Sequence, residues 1–69
     1  MFNKNEFKAQ IARSGKTIKE TAKYLGINES TMYRKVQADG NFTREEINKL
    51  IEFLQIERPE EVFFAHKLA

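Results

Sequence analysis

Cysteine is absent from the 69 residues, so the chain has neither a disulfide framework nor a thiolate zinc site. A lone histidine, His66, supplies no histidine cluster for a metal and no His-dependent triad, and we expect no metal and no cofactor. Only three glycines occur, and neither GxGxxG nor a GxxxxGK phosphate loop is spelled. No apolar run approaches the roughly 18 residues of a membrane span. No charged-then-apolar leader opens the chain, so a cytoplasmic protein is expected. A core drawn from fewer than about 70–80 residues supplies only a few kcal/mol, so the expectation is one economical domain over residues 1–69, or one shared with a partner.

What is present is unevenly placed charge. Residues 1–37 carry eight basic side chains against Glu6, Glu20 and Glu29, a net of +5. Residues 38–69 carry four basic against seven acidic, a net of −3, which leaves +2 for the whole. A basic half beside an acidic half fits a one-sided binder of polyanions, although ordinary solvated helix faces would give the same asymmetry.

The punctuation predicts an all-α chain. Asn3 with Glu6, Thr17 with Glu20, and Thr43 with Glu46 are helix starts of the capping-box kind, and Asn28 is a good N-cap. Gly15 and Gly26 suit helix ends, Ala38-Asp39-Gly40-Asn41 is a turn, and Pro59 suits a first helical position. Apolar residues recur at helical spacing between these marks. The prediction is five helices near 3–14, 17–25, 28–37, 43–56 and 59–65, with no strand. The expected core is Phe7, Ile11, Ile18, Ala22, Leu25, Met32, Val36, Ile47, Leu50, Ile51 and Leu54.

Catalysis finds little support, and we expect no enzyme. The pairs Glu45-Glu46 and Glu60-Glu61 fall in first helical turns, where capping and the helix dipole explain them. Ser14 and Ser30 have no base suggested by the pattern.

The informative stretch is 17–36, TIKETAKYLGINESTMYRKV. Two short helices meet at a turn containing Gly26, with Ala22 four residues before it and Met32 six after. Helices that cross steeply through a short turn need a small side chain where they touch. They also need glycine where φ turns positive and an apolar plug beneath the second helix. This is a helix-turn-helix pattern. It resembles the Cro and repressor proteins of temperate phages, the wider Xre family, and the string from Gly26 to Lys35 also looks like the end of Fis-type helix-turn-helices. The five-helix order extends the resemblance over nearly the whole chain and implies a lambda-repressor-like domain. Two positions depart from the family: Ile18 stands where helix two often has glutamine, so a phosphate contact passes to Thr17 or Lys19. Lys35 stands where an apolar residue is usual, and Val36 takes over its burial.

The resemblance implies a sequence-specific transcriptional regulator, acting like a phage or prophage Cro repressor in a bacterial cytoplasm, with the third helix in the major groove of operator DNA. Asn28, Glu29, Ser30, Tyr33, Arg34 and Gln37 would reach base edges, Arg34 pairing with guanine and Glu29 accepting from cytosine or holding Arg34. Thr17, Lys19, Thr31, Lys35 and the amides at Phe42 and Thr43 would hold phosphates. One helix reads too few base pairs to single out a site, so a weak two-fold dimer, formed mainly on DNA, is expected. Phe53, Phe63, Phe64, His66 and Leu68 are the candidate dimer contacts. A rival reading keeps the fold but has the protein modulate a second regulator protein by binding it in place of DNA, through the acidic half and the phenylalanine-rich tail.

Overall fold

A computed structural model describes residues 2–64. Its elements run α1 (Lys4–Arg13), α2 (Ile18–Leu25), α3 (Glu29–Gln37), α4 (Arg44–Leu54) and α5 (Pro59–Phe63), with no strand among the described residues. Four helices begin at the residues whose side chains can satisfy free amides. Asn3 accepts from the Glu6 amide and Asn28 from the Thr31 amide, at 3.0 and 2.7 Å. Thr17 with Glu20 and Thr43 with Glu46 close full capping boxes. Pro59 opens α5 without any side-chain cap.

α4 ends at Leu54 and not at 56. Gln55 adopts the left-handed conformation at φ 53°, and the next amide, that of Ile56, donates back to the Ile51 carbonyl at 3.0 Å. That hydrogen bond closes a helix end of the kind glycine usually makes, and Ile56 then turns into the core.

α2 packs on α3 and α4, while α1 packs on α5. Phe7, Ile11, Ala22, Leu25, Met32, Val36, Leu50 and Leu54 are buried as expected. Ile18, Ile47 and Ile51 are corrected from core to margin: they lean against it half-buried. The core gains Phe2, Ile56, Val62 and Phe63. Phe2 makes ring contacts with Phe7, Phe42 and Phe63, with centroids 5.3–6.0 Å apart. The Asn3 amide donates to the Val62 carbonyl at 2.7 Å, so the start of the chain is fastened to α5. Among the described residues Thr21 is the buried polar one, and its hydroxyl donates to the Thr17 carbonyl at 2.7 Å.

Phe63, a candidate dimer contact, lies in this core at 6 % exposure and has no face left for a partner. Phe53 is half-buried and stacks on Tyr24 at 4.3 Å between centroids, with the Lys16 ammonium 5.2 Å above its ring. Phe64 is 41 % exposed. His66 and Leu68 lie outside the described residues, as does the expected end of the fifth helix at 65.

Candidate nucleic-acid interface

The turn between α2 and α3 is built from Gly26, Ile27 and Asn28. Gly26 sits at φ 78°, and a Cβ there would meet no atom within 4 Å. Its conformation, not crowding, is therefore what favours glycine. The Ile27 amide donates to the Ala22 carbonyl at 3.1 Å, which closes α2 and reverses the chain. Ala22 is 1 % exposed on the α2 side of this corner. From α3, Met32 plugs the space below at 0 % and Val36 extends the seal one turn on.

Burying Met32 and Val36 fixes which way the rest of α3 points. At about 100° per residue, Ser30, Arg34 and Gln37 fall on the opposite side and Tyr33 at its edge, while Glu29 shares the Val36 stripe and is exposed because it opens the helix. All five, with Asn28 before them, are exposed. Thr31 and Lys35 occupy the half-buried flank. Tyr33 presents 49 % of its surface, an amphipathic ring at the edge of the outer face. Arg34 donates to the Thr31 hydroxyl at 3.2 Å, so it is this residue and not Glu29 that steadies the guanidinium. The Asn28 side-chain oxygen is occupied by the Thr31 amide and the Ser30 hydroxyl, which leaves its NH₂ to donate outward.

The flanking contacts divide. Lys19 is exposed and has no ion pair or hydrogen bond among the described residues, and the same holds for Lys23 one turn on. Thr17 gives its amide to Glu20, so only its hydroxyl proton is available to a phosphate. The expectation of free amides before α4 is corrected. The Phe42 amide donates to the Gly40 carbonyl at 2.7 Å and the Thr43 amide to the Glu46 carboxylate at 2.9 Å. A carboxylate already sits where a phosphate would have to sit. Lys35 is likewise engaged inside the molecule, by the Asn41 carbonyl and Glu46, both at 3.3 Å.

Two contacts near the site had no signature in the sequence. Lys4 of α1 donates to the Gln37 side chain at 3.0 Å across 33 residues of chain. Tyr24 and Phe53 form their stack on the α2–α4 side. Neither follows from spacing, because each joins helices distant in sequence. The placement of Lys35 left a partial signal, a charge on α3 where an apolar residue would be usual.

A helical corner with a polar outer face, flanked by the exposed Lys19 and Lys23 of α2, is how a helix-turn-helix presents a reading helix to duplex DNA. Comparison with known families decides the class. Residues 1–38 match the model of the bacterial regulatory protein, Fis family. The chain belongs to this family. It is a helix-turn-helix DNA-binding protein of the transcription-regulator class, in a small all-α domain. The family match ends just beyond α3 and is not specific to Cro or Xre proteins. No curated protein and no solved structure matches the chain. Among the described residues no helix is long and apolar enough to cross a membrane.

Proposed function

We propose that the protein is a sequence-specific repressor of the Cro type, of phage or prophage kind, that works by occupying operator DNA. It is a single binding domain over residues 1–69 and not an enzyme. The observation that carries this reading is the outer face of α3. Ser30, Arg34 and Gln37 stand exposed there, with Tyr33 at the edge and Glu29 at the exposed helix start, over a helix anchored by Met32 and Val36. Arg34 is the residue suited to a bidentate contact with guanine. Tyr33, Glu29, Ser30, Gln37 and the Asn28 NH₂ complete the set that can meet base edges. Lys19, the Thr17 hydroxyl and Thr31 hold the backbone on the α2 side.

The dimer belongs to the same proposal. α4 and α5 border a groove of about 560 Å³ whose lining includes Ile47, Ile51, Pro59 and Phe64, with Arg44 and Glu60 among its charged residues. A second copy seated on this face would cover the half-buried isoleucines and could pair Arg44 with Glu60. Two recognition helices would then meet half-sites about 34 Å apart. The acidic charge and apolar groove of this half also favour the second reading, a modulator that binds another regulator protein.

Selection of bound sequences from random duplex DNA, followed by a salt titration of the winner, separates the two. The repressor enriches a pseudo-palindrome and loses affinity steeply as salt rises. A modulator enriches nothing and forms a defined protein complex instead.

A further inference from the structure

Lys35 and Asn41 exchange two hydrogen bonds across the turn that follows α3. The Asn41 amide donates to the Lys35 carbonyl at 3.1 Å, and the Lys35 ammonium donates to the Asn41 carbonyl at 3.3 Å. The Gly40 amide reaches the same Lys35 carbonyl at 3.0 Å. The ammonium also lies 3.3 Å from a Glu46 carboxylate oxygen, Oε1, which accepts the Thr43 amide at 2.9 Å as well. One side chain thus links the last turn of α3, the turn itself and the first turn of α4. The pair is well sheltered, with side chains 22 % and 17 % exposed. The other ion pairs among the described residues each expose at least one side chain by 45 % or more.

The turn is gripped from its other side too. Asp39 and Gly40 both take positive φ, at 62° and 71°. A Cβ on Gly40 would overlap the Phe2 ring, so the backbone there is pressed against a buried aromatic. Between Phe2 and Lys35 the turn has little room to shift, and α3 cannot rotate without breaking the exchange with Asn41.

We propose that Lys35 is a positioning residue for DNA reading: it sets the rotation of α3 against α4 through Asn41 and Glu46, and it is not a phosphate ligand. This rests on the helix-turn-helix reading of DNA given above. The two roles predict opposite responses. A phosphate ligand contributes to every sequence alike and adds to the salt slope. A positioning residue affects the preferred sequence, because only that sequence depends on where Arg34 and Tyr33 point. Neutralising Glu46 is the sharpest contrast. If Lys35 served phosphate, Glu46→Gln would remove a competing anion and tighten DNA binding. If Lys35 positions α3, the same change weakens the latch while the glutamine still caps α4.

The test uses the full chain, a selected duplex and a random duplex. In free protein, Lys35→Met and Glu46→Gln should each speed amide exchange at Asn41 by about tenfold, with exchange at the still-capped Thr43 and helix content by circular dichroism little changed. On DNA, both should lose about tenfold on the selected duplex and under about twofold on the random one, at unchanged salt slope. Lys35→Arg should recover most of the specific binding. Equal losses on both duplexes with a slope lower by about 0.9 for Lys35→Met would overturn the proposal, as would tighter binding by Glu46→Gln. Unchanged exchange at Asn41 would overturn it while leaving the DNA reading intact. A wild-type chain with no salt-dependent binding to either duplex would overturn both. Should Lys35→Met unfold, the sign of the Glu46→Gln effect decides alone.

Discussion

In residues 1–37 basic side chains outnumber acidic ones eight to three, whereas residues 38–69 hold four against seven. The first stretch carries the family match and the exposed outer face of α3. The second lies almost wholly beyond that match, yet it supplies Leu50, Leu54, Ile56, Val62 and Phe63 to the core. Met32 and Leu25, which hold the corner of the helix-turn-helix, close the same core as Leu50 and Leu54. The contrast teaches that surface and support are separable by region here, and folding is not. The proposed reading surface lies in the family-matched part, but that part has no sealed interior without α4 and α5.

The largest expected effect breaks the comparison at its boundary. A chain cut after Ala38 should lose nearly all helical circular dichroism, because three helices of 8–10 residues are marginal without packing. A stable helical fragment would show that the family-matched part is self-sufficient. Next is Leu50→Ala. It should cost about 2–5 kcal/mol in denaturant unfolding, a large share of the stability of a domain this small. DNA contacts would be lost only through unfolding, so affinity should recover at low temperature or with a stabilising osmolyte.

Smaller effects sharpen the functional side. Arg34→Ala should cost about 1–3 kcal/mol on the preferred duplex and relax selection at one or two base pairs. Lys19→Ala should weaken binding to all sequences alike and lower the salt slope by about one. Equal behaviour of these two variants in binding assays would contradict the division into base and phosphate contacts. The smallest effect lies in stability against pH. The Arg13 guanidinium, 2.6 Å away, and then the Gln10 amide hold the Glu6 carboxyl below its ordinary pKa. The folded chain therefore binds fewer protons there than the unfolded chain in the acid range. That contribution is present above the ordinary carboxylate value and fades as pH falls through the lowered one. Arg13→Gln should be slightly less stable than wild type near neutrality, and the two melting curves should converge in acid.

Much of the fold was legible in the sequence because its instructions are local. Asn3, Thr17, Asn28 and Thr43 act over three residues, and each caps a helix where the spacing says it should. The end of α4 was not legible, because Gln55 takes the left-handed position without being glycine. Phe2 and Phe63 escaped the core prediction for a different reason. Neither sits on a long periodic stripe, and they meet only because α1 packs on α5. At the candidate site, the exposed face of α3 follows from the burial of Met32 and Val36. What spacing could not show is which groups already have partners. Lys35, Gln37 and the Thr43 amide find theirs through the α3–α4 turn, across the fold to Lys4, and in the first turn of α4.

In the function proposed here, α3 reads the DNA, while α4 and α5 support α3 without touching the duplex near its reading face. Titration of the full chain with its selected duplex, followed by backbone and side-chain NMR shifts, tests it most directly. Large shifts are expected at Glu29, Ser30, Tyr33 and Arg34, moderate shifts at Thr17 and Lys19, and small shifts at Phe42 and Thr43. Large shifts confined to Ile47, Ile51 and Phe64, with α3 unmoved, would contradict it.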